Sequence, residues 1–118
     1  MDILLISARP GVWAPSAPVF PDKGYTLKTA ASLEEGLRQI RATPPRLVIL
    51  DLPASEDVRK AVTDILMINA AVHTAVVSEL EEETFHEATE GLGILMSLPA
   101  SPTPADVERL LTVLSTMP

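Results

Sequence analysis

Short apolar runs alternate with segments of helical spacing along this chain, and the alternation constrains the fold more than any other feature. The five runs cover residues 3–6, 25–29, 47–50, 72–77 and 94–96. Apolar residues with the spacing of an amphipathic helix follow each of the last four runs. Strands that alternate with helices form a parallel sheet covered on both faces. We therefore predict a doubly wound α/β fold and one domain over residues 1–118.

Capping residues indicate where the helices begin. Ser32 starts a capping box, because Glu35 follows three residues later. Ser55 is the predicted N-cap of the next helix, and Thr103 followed by Pro104 starts the last one. The predicted buried faces of the four helices are Leu33, Leu37 and Ile40; Val58, Val62, Ile65 and Leu66; Phe85, Ala88, Thr89 and Leu92; and Val107, Leu110, Leu111 and Leu114.

Residues 10–23 contain four prolines where the first crossover helix belongs. An interior proline costs a helix about 3 kcal/mol, so the first helix is predicted to be short or irregular. We expect the rest to be an ordered loop held by Trp13, Val19 or Phe20. A binding loop at the ligand end of the sheet is one interpretation. We favour the other, a degenerate helix, because loops vary by default.

Composition excludes several classes of function. The formal net charge of −7 would repel phosphate backbones, so we expect no binding to DNA or RNA. No apolar stretch reaches the ~18 residues of a membrane span, and no secretory segment precedes the first strand. The absence of cysteine excludes disulfides and thiolate metal sites, which fits a cytoplasmic protein.

Three segments carry a resemblance to a known family. LVILDLP (residues 47–53) places Asp51 at the end of a strand, TAVVSE (residues 74–79) forms the fourth strand, and ILMSLP (residues 94–99) precedes the last helix. In order and spacing these segments resemble the receiver domain of bacterial two-component response regulators, over nearly the whole chain. The resemblance implies a flavodoxin-like sheet of order 2-1-3-4-5. It also implies an aspartate that takes a phosphoryl group from a histidine kinase, with Mg²⁺ as cofactor.

The resemblance assigns roles to five positions. Asp51 matches the phosphoacceptor, and Ser78 matches the small hydroxyl residue that moves onto the phosphoryl group. Leu95 stands where the family has an aromatic switch residue. Pro53 would offer its carbonyl to the metal, and Pro99 matches a cis proline.

Other positions depart from the family. Ser7 and Ala8 replace the acidic pair that holds Mg²⁺, and Leu98 replaces the lysine that contacts the phosphoryl group. Mg²⁺ needs oxygen ligands that usually include carboxylates, and phosphoryl transfer needs cations on the transferring oxygens. Arg9 could supply a substitute charge, but we expect it to be solvated. Asp51 is interpreted as an inherited acid that caps backbone amides, and the Leu98 side chain is expected to close part of the pocket.

Little other chemistry is indicated. His86 could form a metal pair with Glu82 or Glu90, although a solvated histidine is the favoured interpretation, and His73 is expected at the surface. No glycine-rich phosphate loop follows a strand, and no Ser–His–Asp spacing is present. We therefore do not expect an enzyme.

The predicted function is that of a receiver-like signalling module, which acts through protein contacts without Mg²⁺-dependent phosphorylation. Its partner would be a kinase, an output protein or a second copy of the chain. The predicted surface is the helix around Phe85 with the fifth strand and last helix, where Glu82, Glu83, Glu87 and Glu90 favour a basic partner. Two alternatives stay open: an active phosphoacceptor that uses Mg²⁺, and a small-ligand sensor that uses the crevice at the strand ends.

Overall fold

Five parallel strands form one sheet. They are β1 (Asp2–Ser7), β2 (Thr26–Ala30), β3 (Leu47–Asp51), β4 (His73–Val77) and β5 (Met96–Leu98). Their order is β2-β1-β3-β4-β5, as predicted. The computed structural model describes residues 1–117, without the side chains of Glu82, His86 and Ala88.

Helices cover both faces of the sheet. In the described part of the chain they are α1 (Pro10–Trp13), α2 (Val19–Asp22), α3 (Leu33–Ala42), α4 (Val58–Ile68), α5 (Glu82–Ala88) and α6 (Pro104–Ser115). A 3-10 turn over Ala14–Ser16 joins α1 to α2. The α/β architecture and the short first helix are therefore confirmed.

Two predicted helix starts agree with the structure. Ser32 accepts a hydrogen bond from the Glu35 amide at 3.2 Å, while the Glu35 carboxylate accepts one from the Ala31 amide. Thr103 and Asp106 form a complete capping box at the start of α6. Each cap satisfies amides that the first turn leaves without helical partners.

The predicted cap of α4 is wrong. Asp57 is the N-cap, and its side chain accepts a hydrogen bond from the Lys60 amide at 3.2 Å. Ser55 lies in a turn in which the Glu56 amide donates to the Pro53 carbonyl. This turn delays the helix by two residues.

The region around β5 differs from its predicted bounds. The structure ends α5 at Ala88 and starts β5 at Met96, which pairs with Ala75. Gly91 and Gly93 have φ values of 87° and 66°, a backbone conformation that favours glycine. The turns they form lengthen the connection, so the strand begins two residues later than predicted.

The Leu98–Pro99 peptide bond is trans, so the predicted cis bond is wrong. Its prediction depended on the family resemblance alone, and trans is the default for a bond to proline.

The sheet separates two apolar cores. Side chains at alternate strand positions, including Ile3, Leu5, Leu47 and Ile49, pack with α6 and the α1–α2 segment. Those between them pack with α3 and α4 and with Phe85. Successive residues of a strand point to opposite faces, so Ser7 and Asp51 continue the row that faces α6.

Trp13 and Phe20 hold residues 10–23 against the first core. Both side chains are buried, and Val19 is half-buried against the same cluster. The predicted apolar anchors are confirmed. The predicted loop is wrong, because Ala14–Ser16 and Val19–Asp22 form short helical turns. No helix among the described residues combines the length and apolar character needed to cross a membrane.

Candidate functional site

Asp51 is the last residue of β3, and the strand register places Ser7 of β1 directly beside it. The Asp51 side chain is only 4% exposed. A buried carboxylate is costly unless hydrogen bonds or a counter-charge compensate it. The identity of its partners therefore decides what this site can do.

Three side chains from the first seventh of the chain donate hydrogen bonds to Asp51. The Ser7 hydroxyl donates to Oδ2 at 2.7 Å, and the Trp13 indole Nε1 donates to the same oxygen at 3.0 Å. Arg9 donates from Nη2 to Oδ1 at 2.7 Å and from Nε to Oδ2 at 3.2 Å. The carboxylate thus accepts four hydrogen bonds from side chains. The prediction that it caps backbone amides is wrong.

Arg9 is held in place by its own backbone and by a second loop. Its amide donates to the Ser7 hydroxyl oxygen at 2.9 Å, and its Nη2 also donates to the Ala100 carbonyl at 3.1 Å. The guanidinium therefore links the loop after β1 to the end of β3 and to the loop after β5. Its side chain remains 44% exposed, but it is ion-paired, so the prediction of a solvated arginine is wrong.

These contacts set the ionisation of the pair. Burial raises the pKa of the Asp51 carboxyl group, while hydrogen bonds from Arg9, Trp13 and Ser7 lower it further than burial raises it. The pKa of Asp51 consequently lies below its ordinary value, and the group is a carboxylate at neutral pH. The hydrogen bond to Asp51 likewise raises the pKa of Arg9.

The sequence predicted Trp13 as an apolar anchor and missed its hydrogen bond to Asp51. Its ring packs in the core beside Leu98, and α1 carries it back over the end of β3. The available signal was the proline directly after Arg9, which starts a helical turn at once. One turn then brings position 13 towards the strand ends.

A cavity of about 440 Å³ opens beside the pair. Loops after β1, β3, β4 and β5 supply its lining: Ala8, Arg9, Asp51, Leu52, Pro53, Ala54, Glu56, Val58, Val77, Ser78, Glu79 and Ala100. Residues 10–23 do not contribute, which favours a degenerate helix over a binding loop for that segment. Ala8, Asp51 and Ser78, which the family resemblance assigns to one site, all line this cavity.

Ser78 lines this cavity, whereas Leu95 and Leu98 do not. The Ser78 hydroxyl accepts a hydrogen bond from the Leu80 amide, as in an ordinary loop turn. Leu98 is 1% exposed within the first core and does not line the cavity, so the expected closure of the pocket is wrong. Leu95 is half-buried against that core, directly before β5.

The residues at this site do not fit Mg²⁺. Both oxygens of Asp51 already accept hydrogen bonds, and the Pro53 carbonyl accepts one from the Glu56 amide. A guanidinium lies against the carboxylate, where it would repel a second cation. No group of three metal-ligating side chains occurs among the described residues. Mg²⁺ prefers several free oxygen ligands in octahedral geometry, which this arrangement lacks.

The histidine predictions receive little structural information. The side chain of His86 lies outside the described residues, so the predicted solvated histidine and its alternative, a metal pair with Glu82 or Glu90, both stay untested. His73, expected at the surface, begins β4 and is partly exposed.

Comparison with known proteins identifies solved structures that share this fold. The sequence matches no protein-family model, and no curated protein is significantly similar to it. A response regulator from Thermotoga maritima superposes with a TM-score of 0.84 at 14% identity, covering 98% of both chains. A two-component response regulator from Clostridium difficile gives 0.80 at 15% identity, covering 99% of this chain and 98% of the other.

The receiver domain of NtrX from Brucella abortus gives a TM-score of 0.79 at 18% identity, covering 98% of this chain and 100% of the other. Identities this low establish the shape and its topology. The chain has the fold of the response regulator receiver domains over nearly its whole length.

Proposed function

We propose that this receiver-like domain is a signalling module that acts through contacts with other proteins, and that Asp51 does not accept a phosphoryl group from a Mg²⁺-dependent donor. The domain would then be a binding module and not an enzyme. One observation carries the proposal: Arg9, Trp13 and Ser7 together occupy the Asp51 carboxylate.

Occupied lone pairs oppose phosphorylation in the ground state. Attack on phosphorus by either oxygen would compete with its hydrogen bond from Arg9, and a carboxylate that released Arg9 would still be buried. Breaking a buried ion pair by removing one partner typically costs about 3–5 kcal/mol. Because Arg9 is partly exposed, the cost for this pair lies at or below the lower end of that range. The attacking group is therefore stabilised in its unreactive arrangement.

The site also lacks charge for the product. A phosphoryl group brings about −1.5 to −2 charges at neutral pH. Among the described residues that line the cavity, Arg9 is the basic one, while Glu56 and Glu79 are acidic. Removal of a single donor to a developing negative charge can cost roughly 3–4 kcal/mol. The surroundings of Asp51 therefore oppose both the attack and the adduct.

Incubation with acetyl phosphate and Mg²⁺, followed by intact-mass measurement, tests the proposal. We expect no appreciable adduct on the unmodified chain and none on Asp51→Asn. A receiver domain that is phosphorylated by acetyl phosphate, run in parallel, shows that the donor is active. A stoichiometric adduct that disappears in Asp51→Asn would establish Asp51 as a working phosphoacceptor and refute the proposal.

A further inference from the structure

An apolar groove lies between α4 and α5, on the face of the sheet opposite α6. Its apolar lining consists of Val58, Val76, Val77, Leu80 and Phe85, and it encloses about 310 Å³. We call it the α4–α5 groove. It shares Glu56, Val58, Val77 and Ser78 with the cavity beside Asp51, so the two form a continuous depression.

Leu80 is an exposed apolar residue in the lining of this groove. It is 50% exposed, and it lies in the loop between β4 and α5 with its amide fixed by the Ser78 hydroxyl. Phe85 is almost fully buried beneath it. Leu80 and the other apolar residues of the groove line one depression with a polar rim, and an apolar patch of this kind marks a surface that another molecule can cover.

Charge around the groove indicates the chemistry of that molecule. Glu56 and Asp57 line the groove, Glu79 lines the adjoining cavity, and Glu81 precedes α5. All four are exposed. Arg59 is the basic residue among those that line the groove, and its Nη1 is 3.5 Å from the Glu90 carbonyl.

This arrangement selects one kind of occupant. A phosphate-bearing ligand would be repelled by the acidic rim, and a second copy of this chain would bring the same rim and a net charge of −7. A basic peptide with an apolar side chain satisfies both the floor and the rim. We propose that the α4–α5 groove binds a segment of a partner protein in which an apolar residue is flanked by lysine or arginine. This inference rests on the proposed function, because it assigns a surface to the proposed protein contact.

Three synthetic peptides with blocked ends test the proposal on the full chain: KRLLKR, its counterpart without apolar residues KRSSKR, and the acidic EELLEE. Amide chemical shifts of the ¹⁵N-labelled protein map the site, and fluorescence anisotropy gives the affinities. We expect KRLLKR to shift the amides of Val58, Val77 and Leu80, and to bind more weakly as salt increases. The other two peptides should bind at least about tenfold more weakly.

Matched substitutions separate the floor from the rim. Leu80→Ser should weaken KRLLKR binding about tenfold, while Met67→Ser, on the 82% exposed Met67 of α4, should leave it unchanged. Glu79→Lys should weaken binding roughly twofold to fivefold, whereas Glu108→Lys on α6 should not. The shift map of the unmodified chain tests the site even if a variant fails to fold.

Four outcomes would overturn the inference: no shifts with KRLLKR, shifts confined to other faces, equal affinity for EELLEE, or concentration-dependent shifts at Leu80 without peptide, which would indicate a second copy. None of these measurements uses a phosphodonor. If KRLLKR did not bind and acetyl phosphate gave no adduct, the α4–α5 groove would be excluded as the binding site and the proposed function would stand.

Discussion

Trp13 and Arg9 contact one carboxylate from the same short segment, and their contributions differ in kind. Trp13 brings a neutral donor on a large buried ring, so its hydrogen bond accompanies apolar packing. Arg9 brings a formal charge on a half-exposed side chain. The first orients the carboxylate, and the second neutralises it.

Replacement of Arg9 by glutamine should destabilise the domain. Asp51 would lose its counter-charge and two of its four side-chain hydrogen bonds. Because the guanidinium is partly solvated, we expect a loss of about 1–2 kcal/mol in the free energy of unfolding, measured by urea titration. Lys60→Gln removes an ion pair with Asp64 that is fully solvated at Lys60, so its effect on stability should be clearly smaller than that of Arg9→Gln. An equal effect of the two substitutions would contradict a stabilising role for Arg9.

The lowered pKa of Asp51 makes stability depend on pH in a defined direction. Its pKa in the unfolded chain is about 3.9, and its pKa in the folded chain is lower. The unfolded state therefore binds the proton first as pH falls, so this contribution to stability is present above about pH 4 and is lost as pH falls through the folded pKa. Urea unfolding between pH 7 and pH 3 should show the loss, and Asp51→Asn should show a smaller one. Identical pH profiles would exclude Asp51 as the source.

At the scale of elements, the start of α4 depends on a turn and a cap together. The turn at residues 53–56 places Asp57 at the N-cap of α4. The Asp57 carboxylate then accepts a hydrogen bond from the Lys60 amide. Aspartate at this position also favours the positive end of the helix dipole. The loop between β3 and α4 is thereby fixed beside the crevice.

Two alanine substitutions distinguish this cap from the one expected from sequence. Asp57→Ala should lower the free energy of unfolding by about 1 kcal/mol, since it removes the acceptor for an amide of the first turn. Ser55→Ala should change it by less than about 0.5 kcal/mol, because Ser55 is exposed outside the helix. Thermal unfolding followed by circular dichroism compares them. A larger loss of stability in Ser55→Ala than in Asp57→Ala would indicate that Ser55 is the N-cap.

At the scale of the whole molecule, one sheet is shared by two cores. Every central strand contributes alternate side chains to the α6 face and to the α3–α4 face. Loss of one core would expose one face of the sheet, and the other core is built on the opposite face of the same strands. The two faces should therefore unfold together.

Trp13 offers a direct measurement of this coupling, because it is the one tryptophan of the chain and lies in the first core. Its fluorescence should report the same urea midpoint as far-UV circular dichroism, which sums over helices on both faces. The Trp13→Phe variant shows how much of the fluorescence belongs to this residue. Separate midpoints would mean that the faces unfold independently.

The amino-acid sequence by itself determined the chain order of the five strands and of the helices that follow β2, β3, β4 and β5. Continuous apolar runs such as Leu47–Leu50 suit strands that are buried on both faces, and period-3.6 stripes suit the helices over them. Ser32 and Thr103 mark helix starts because capping uses atoms only three residues apart. These are local or periodic properties, and they survive without knowledge of the partner elements.

The tertiary structure alone decided what surrounds Asp51. Ser7 is 44 residues away in sequence, Arg9 is 42 and Trp13 is 38, and the register of β1 against β3 brings them together. No short-range pattern specifies whether an arginine faces solvent or a buried carboxylate, because the two alternatives differ in a contact between distant segments. The same limit applies to Leu98, whose side chain turns into the core according to the pairing of β5. Strand register, a property of the assembled sheet, therefore gave Asp51 side-chain partners in place of the predicted backbone amides.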